Sequence, residues 1–440
     1  MPNNEKLSFD VIVIGAGLAG SAAAAIVARS GLKVALIERG QTPGSKNYFG
    51  GTLYTHSLME IYPDFLDRKP PLERPVTEAG FWFLSKDGLM RATVQGGKLN
   101  NQPIDAYVAL RAKFDSWWAE QAKKEGALII PKTVVIDFIR EDGKVVGVQT
   151  DRAQGEIYAP VVIICEGVNN LLTQKLGLIK HDLQPASSAL AVKQMIALPA
   201  ETINARFGLI DNNHGLAASV MGDVSMGLPG LGFLYTGVES VAVGVGVTLE
   251  ALAEAGVKPY ELLQRYLNHP IIAPLIAGGR LMEYGAHIIP EGGWKDMPRL
   301  YTDGALVAGD AASMVNALHW EGTNMAIVAG KSAAETAIEA HQKKDFSAQS
   351  LSSYRTRLDK RFIMTDLHQY RNLSHFLKTH PDFMAIYPTF LNDALGMFFT
   401  GFGKPKGQLY KDILKSLTNR RPLLKAVGDI VAFGRTVIGI

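Results

Sequence analysis

Three glycines and one carboxylate near the start of the chain define the first chemistry it can do. Gly15, Gly17 and Gly20 stand in a Gly-x-Gly-x-x-Gly pattern with Ala16 and Ala19 between them, and Glu38 follows. Gly15 permits a tight turn, Gly17 lets backbone N–H groups approach a pyrophosphate, and Gly20 lets a helix pack closely on a strand. A carboxylate about 20 residues later can accept both hydroxyls of a ribose, and its charge argues against a 2′-phosphate there. The elements that must hold these groups follow in order. Val11 to Ile14 is apolar throughout, as a strand covered on both faces requires. A helix of small residues from Ser21 to Ala28 aims its positive end at the phosphates, and a second strand ends at Glu38. This is a complete strand–turn–helix–strand unit for a dinucleotide.

A second motif, Gly304-Ala-Leu-Val-Ala-Gly309-Asp310, lies far downstream. An apolar strand running into Gly-Asp and then a small-residue helix places a carboxylate beside a ribityl and phosphate group, so the dinucleotide is expected to be FAD. Strand 305–308 should join the sheet of Val11 to Ile14. The pair of motifs resembles the glutathione-reductase-type FAD-binding fold, an α/β architecture with an inserted antiparallel-sheet substrate domain and a helical C-terminal region.

The resemblance implies further cofactor neighbours. Arg111 would reach the cofactor, with Arg39, Lys46 and Asn47 close by. Val134, just past the strand of Ile129-Ile130, would offer its backbone to adenine. The segment Trp320-Glu-Gly322-Thr323-Asn324 would open a helix towards the flavin's pyrimidine edge, although Trp320 and Glu321 depart from relatives. Glu166 stands where the family has Asp before glycine. Cys165, beside it, reads as a small core residue.

Composition narrows the classes. A net charge of +3 and the lack of basic runs interleaved with aromatics speak against nucleic acid. One cysteine excludes an internal disulfide, a cysteine-ligated iron–sulfur cluster and a four-cysteine zinc site. The ten histidines show no metal-ligand spacing. No apolar run of about 20 residues suits a membrane span, and no leader-like segment precedes the first strand. The expected location is the cytoplasm, or the cytoplasmic face of a membrane.

Gly44-Ser-Lys-Asn47 with Gly50-Gly51, Gly232-Phe-Leu-Tyr235, and Ile289-Pro-Glu-Gly-Gly293 are more specific than the fold. They resemble the FixC proteins and electron-transfer-flavoprotein–quinone oxidoreductases, over about residues 8 to 400. Single-chain quinone oxidoreductases of that group end in a four-cysteine ferredoxin-like domain, which this chain cannot build, so the FixC branch is selected. The resemblance implies electron flow from an electron-transfer flavoprotein (alpha and beta subunits) to quinone, with a separate small ferredoxin-like iron–sulfur subunit. In FixABCX-like systems this is the higher-potential branch of electron bifurcation. The flavin carries that chemistry, so no catalytic side chain is assigned.

The expected division is residues 1–180 for the first part of the FAD domain, with an insertion at about 55–105. Residues 181–300 would form the substrate domain, 301–345 complete the FAD domain, and 346–440 make a helical region. In its last stretch Leu423, Leu424, Val427, Ile430, Val431, Val437 and Ile438 fall on one helical arc, with Lys425, Asp429 and Thr436 opposite. After Arg420-Arg421, such a helix suits a membrane interface or a docking partner. The rival enzyme class is a geranylgeranyl-reductase-like FAD enzyme. The rival non-enzyme is a Rab-GDI-like lipid-binding module, which would have no use for Glu38 and Asp310.

Overall fold

A computed structural model describes residues 7–47, 51–179, 182–319 and 321–439. Gly50 and Trp320, named above, lie outside them. Val11–Ile14, Val34–Ile37 and Val161–Ile164 are wholly buried and built of β-branched and aliphatic residues. That composition suits parallel strands covered on both faces. They form the middle of a six-stranded sheet ordered Tyr301–Thr302, Ala305–Val307, Val161–Ile164, Val11–Ile14, Val34–Ile37, Leu128–Ile130. All neighbours are parallel except the short edge strand Tyr301–Thr302. Ile163 therefore sits between Val13 and Leu306, so the downstream Gly-Asp motif arrives two strands from the glycine turn.

Helices Leu18–Arg29, Arg111–Lys124 and Thr323–Lys343 pack around this sheet. The first buries mostly alanine, with Gly20 and Ser21, and the reason is close approach. A Cβ on Gly20 would lie 1.8 Å from the Gly15 carbonyl oxygen, and one on Gly330 of the long helix 2.1 Å from the Ala19 oxygen. A small antiparallel sheet, Val135–Glu141, Lys144–Thr150 and Glu156–Tyr158, packs on Val161–Ile164.

Two distant segments build a second, nine-stranded sheet. Gly51–Tyr54, Leu72–Leu84, Leu89–Gln95 and Ala106–Ala109 join Ser188–Ala197, Gly215–Gly222, Gly230–Thr236, Ser240–Thr248 and Arg280–Pro290. The join is the parallel pairing of Leu72–Leu84 with Gly215–Gly222, against antiparallel pairs elsewhere. Its own core includes Trp82, Val220, Leu234, Val243 and Tyr266, the last from helix Pro259–Leu267.

Helices Asp382–Thr400, Lys406–Arg420 and Leu423–Ile438 complete the chain. The first of them packs on Leu72–Leu84 and Gly215–Gly222. In the last helix only Ala426 and Asp429 are buried, while Leu424 is 88% and Ile430 63% exposed. The apolar arc read from the sequence is turned outward, and Ala426, Asp429 and Phe433 face inward, whereas Lys425 on the expected polar side is exposed. Asp429 explains the orientation. Arg421 donates from Nε (2.9 Å) and Nη2 (2.8 Å) to its two oxygens, and Tyr387 donates at 2.6 Å. Arg421 also pairs with Asp382 on the neighbouring helix. Although burial opposes it, the bonds from Arg421 and Tyr387 hold the Asp429 carboxyl below the usual aspartate range.

Candidate functional site

A cavity of about 650 Å³ runs between the parallel sheet's C-terminal edge and the broad sheet. The expected location of a ligand in an open α/β sheet is this edge. Gly15 turns the chain at φ +96°, a left-handed value, and a Cβ there would lie 2.2 Å from the Cys165 oxygen. A Cβ on Gly17 would meet nothing within 4 Å, so Gly17 faces the open cavity that a pyrophosphate would cross. Ala19 also lines the cavity, whereas Ala16 and Gly20 do not and instead form the turn and the helix contact beneath it.

Glu38 lies at the other end of the turn, 9% exposed. Its Oε2 accepts the Ala16 N–H at 2.9 Å and its Oε1 the Gly40 N–H at 2.6 Å. These bonds fix the carboxylate and leave it acceptor capacity towards the cavity, which it lines with Arg39. Val134 lines the cavity too, but its N–H is donated to Asp151 Oδ1 at 3.0 Å and its carbonyl accepts the Asp151 N–H at 2.9 Å. Only the second lone pair of that carbonyl is left for adenine.

Lys46, Asn47 and Arg111 also line the cavity, and the last two share a partner. The organiser is Asp115, which is fully buried on the helix that Arg111 begins. Its carboxylate accepts Arg111 Nε at 2.7 Å and Nη2 at 2.8 Å, and Asn47 Nδ2 as well. The Arg-x-x-x-Asp spacing, one helical turn, brings this pair together.

Gly309 and Asp310 line the cavity where the strand Ala305–Val307 ends. Across from Asp310 is His287 of the broad sheet, which the sequence did not single out. Burial raises the Asp310 carboxyl while His287 and Arg111 oppose that, and burial lowers His287. Both shifts favour the neutral forms. Gly322 and Thr323 open the long helix at the cavity, but Asn324 does not line it. Asn324 is buried, donating to Glu321 Oε2 at 3.1 Å and accepting the Met325 N–H at 2.9 Å.

Glu166 also borders the cavity, with its carboxylate occupied by the Leu172 N–H (2.9 Å), the Thr173 N–H (2.7 Å) and the Thr173 hydroxyl (2.7 Å). It thereby fixes the loop above the sheet. Burial pushes the Cys165 thiol up to about 12, so it is not a thiolate at neutral pH. The broad sheet supplies an apolar wall of Ala191, Leu231, Phe233, Tyr235 and Ile289. Gly244 makes room for it, since a Cβ there would stand 2.2 Å from the Phe233 ring. Among the described residues no cluster of His, Cys, Asp and Glu could hold a metal.

The glycine turn, the fixed Glu38 carboxylate, the Gly-Asp strand end and the apolar wall fit the class of FAD-dependent oxidoreductases. The comparisons agree: residues 10–173 match the FAD dependent oxidoreductase family, and residues 373–438 match the ETF-QO/FixC family C-terminal domain. Protein FixC of Azotobacter vinelandii is 42% identical over 430 residues, covering 98% of this chain and 99% of that one. Protein FixC of Bradyrhizobium diazoefficiens is 40% identical, covering 97% and 98%. The chain belongs to the ETF-QO/FixC family. Its fold is shared with a geranylgeranyl bacteriochlorophyll reductase-like protein from Thermoplasma acidophilum. That match has a TM-score of 0.73 at 23% identity and covers 97% of this chain and 100% of the other. The halogenase CndH matches at TM-score 0.65 and 18% identity, covering 94% and 97%.

Proposed function

We propose that this chain takes electrons from an electron-transfer flavoprotein of alpha and beta subunits and passes them to a membrane quinone. It would do so as the FixC subunit of a FixABCX-like assembly with a small ferredoxin-like iron–sulfur subunit, on the high-potential branch of electron bifurcation. The observation that carries this reading is the outward apolar face of the last helices. Phe399 and Phe402 are 64% and 79% exposed, and Leu424 and Ile430 add a second row. Helix Asp382–Thr400, which bears Phe399, is packed on the sheet that walls the cavity. Exposed apolar rows of this kind mark an interaction surface, and a lipid-dissolved acceptor requires one. Among the described residues no helix is long and apolar enough to cross a membrane, so contact would be interfacial.

The roles proposed for the residues follow from their positions. Gly15, Gly17 and the first helix would receive the pyrophosphate, with Ala16, Ala19 and Gly20 shaping that turn. Glu38 would take the ribose, beside Arg39, and Val134 would border adenine. Lys46, Asn47 and Arg111 would flank the cofactor, and Gly309 with Asp310 the ribityl chain. Gly322 and Thr323 would face the flavin, with Asn324 steadying that turn from behind. Bound FAD supplies one- and two-electron transfer, which connects a one-electron donor to a two-electron acceptor. The apolar wall would exclude water and hold a planar acceptor. Co-purification from native membranes tests the assembly. Recovery with two electron-transfer-flavoprotein subunits and a ferredoxin-like protein is expected. Recovery as a solitary protein that saturates prenyl chains would overturn the proposal in favour of the reductase class.

A further inference from the structure

The loop after strand Arg280–Pro290 carries a carboxylate that the cofactor site does not use. Glu291 lines the cavity and also lines a second, small crevice of about 20 Å³. Val315 and Ala317 border both spaces, so Glu291 stands on a shared wall. Its N–H is donated to the Ser187 carbonyl at 2.8 Å, which fixes the backbone. Its carboxyl has no bonded partner among the described residues.

The crevice holds a second orphan. Asn316 is 2% exposed, and its Oδ1 accepts the N–H groups of Leu318 (3.1 Å) and His319 (3.2 Å). Its Nδ2 is buried without a hydrogen-bond partner among the described residues. A space of this size takes about one water molecule. One water there would give Asn316 Nδ2 the partner that buried polar groups require, in a space that Glu291 also borders. Asp366, Tyr370 and Arg371 line the rest of the crevice. The Tyr370 hydroxyl lies 3.3 Å from Nε2 of His319, which is exposed. Polar groups thus line the crevice beyond the cavity wall, and one of them, Tyr370, reaches an exposed histidine.

We propose that Glu291 donates a proton to the acceptor in the cavity and is re-protonated through the crevice, by way of a water there and Asp366. This rests on the quinone-reducing reading above. Reduction of a quinone to a quinol adds two electrons and two protons. Both electrons come from the electron-transfer flavoprotein by way of bound FAD. Glu291 gives one proton to a quinone oxygen and becomes a carboxylate. Solvent protons entering by the crevice restore Glu291 and provide the second proton.

The electrostatics agree. Burial pushes the Glu291 carboxyl up to about 7, and burial with help from Glu321 raises Asp366 against the opposing His319. A carboxyl near 7 can both give and take a proton at neutral pH. Asp366, Tyr370 and Arg371 share the crevice with it, and His287, Asp310 and Arg111 are among the titratable groups that share the cavity, while burial is what shifts it.

The test uses FAD-loaded full-length protein, wild type against Glu291→Gln, Glu291→Asp and Asp366→Asn. Redox-difference infrared spectra should show a protonated-carboxyl band that titrates near pH 7 and is lost in Glu291→Gln. Re-oxidation of the reduced protein by a short-chain quinone should slow about 10²-fold in Glu291→Gln. Its pH limb near 7 should disappear, while reduction by dithionite stays unchanged. Glu291→Asp should restore part of the rate. Asp366→Asn should slow it less, and small diffusible acids should rescue it. A band that survives Glu291→Gln, or a wild-type rate and pH profile in that variant, would overturn the role of Glu291. A wild-type protein that reduces no quinone overturns the quinone reading instead, and the infrared band still reports separately on the Glu291 proton.

Discussion

The first helix, Leu18–Arg29, and the last, Leu423–Ile438, have similarly apolar compositions and opposite surroundings. In the first, Leu18 to Ala25 are buried without a break, against the strand on one side and the long helix on the other. In the last, the buried residues are an alanine and an aspartate, and the leucines, valines and isoleucines face outward. Small side chains bring backbones together in the first case, since Gly20 and Gly330 leave no room for a Cβ. A charged anchor of Asp429, Arg421 and Tyr387 fixes the second. Apolar periodicity identifies an arc but does not say whether protein or something else will cover it. The polar partner on the opposite arc decides.

The largest effect is expected where the first helix meets its turn. Gly20→Val places atoms where the Gly15 oxygen already lies, and overpacking of this kind costs about 3 kcal/mol. FAD retention, read from the visible spectrum after gel filtration, should fall by about 10²-fold. The last helix should keep its protease resistance. If FAD is retained, the turn is not the phosphate site.

Breaking the other anchor comes next. Arg421→Met leaves Asp429 buried without its cation. The cost should be about 2 kcal/mol, below that of a fully enclosed pair because solvent screens a 17% exposed Arg421. Limited proteolysis should then cut near the last helix while the flavin spectrum stays unchanged. Coupled loss of flavin would mean that the two regions are one cooperative unit.

Reversing the outward arc should change stability least and binding most selectively. Leu424→Glu with Ile430→Glu should shift thermal unfolding by no more than about 0.5 kcal/mol, because both sites are solvent-facing. Flotation with anionic lipid vesicles should drop by about tenfold per substitution. A large loss of stability would show that the arc is covered within the chain.

The smallest effect is one of pH. The Asp429 carboxyl titrates below the ordinary aspartate range. Its contribution is therefore complete above about pH 4 and is lost as pH falls through its lowered folded value. Proteolysis of the last helix should accelerate only in that acid window, and Asp429→Asn should remove the acceleration. An unchanged acid response would place the controlling carboxylate elsewhere.

Much of the cofactor half was legible in the chain because its signals are local. The glycine turn, the buried strands and Gly309-Asp310 each declare themselves within a dozen residues, and the structure gathers them on one sheet edge. Asp115, His287 and Glu291 were not legible as a group. They come from a helix turn, a broad-sheet strand and the loop after it; only the tertiary fold brings His287 and Glu291 to the cavity and buries Asp115 behind Arg111. The joining of segments 51–109 and 188–290 into one sheet rests on a single parallel pairing across that distance. No local pattern encodes it. The arc of the last helix was legible, but its outward direction depends on Tyr387 and Arg421 reaching Asp429 from outside the helix.

The most direct measurement is anaerobic rapid mixing of the FAD-loaded protein with reduced electron-transfer flavoprotein, followed by quinone presented in lipid vesicles. The flavin absorbance should bleach on the first mixing and recover on the second. In Leu424→Glu with Ile430→Glu, recovery should slow with vesicle quinone but not with a water-soluble analogue. A flavin that the electron-transfer flavoprotein does not reduce, or one that no quinone re-oxidises, would contradict electron transfer between them.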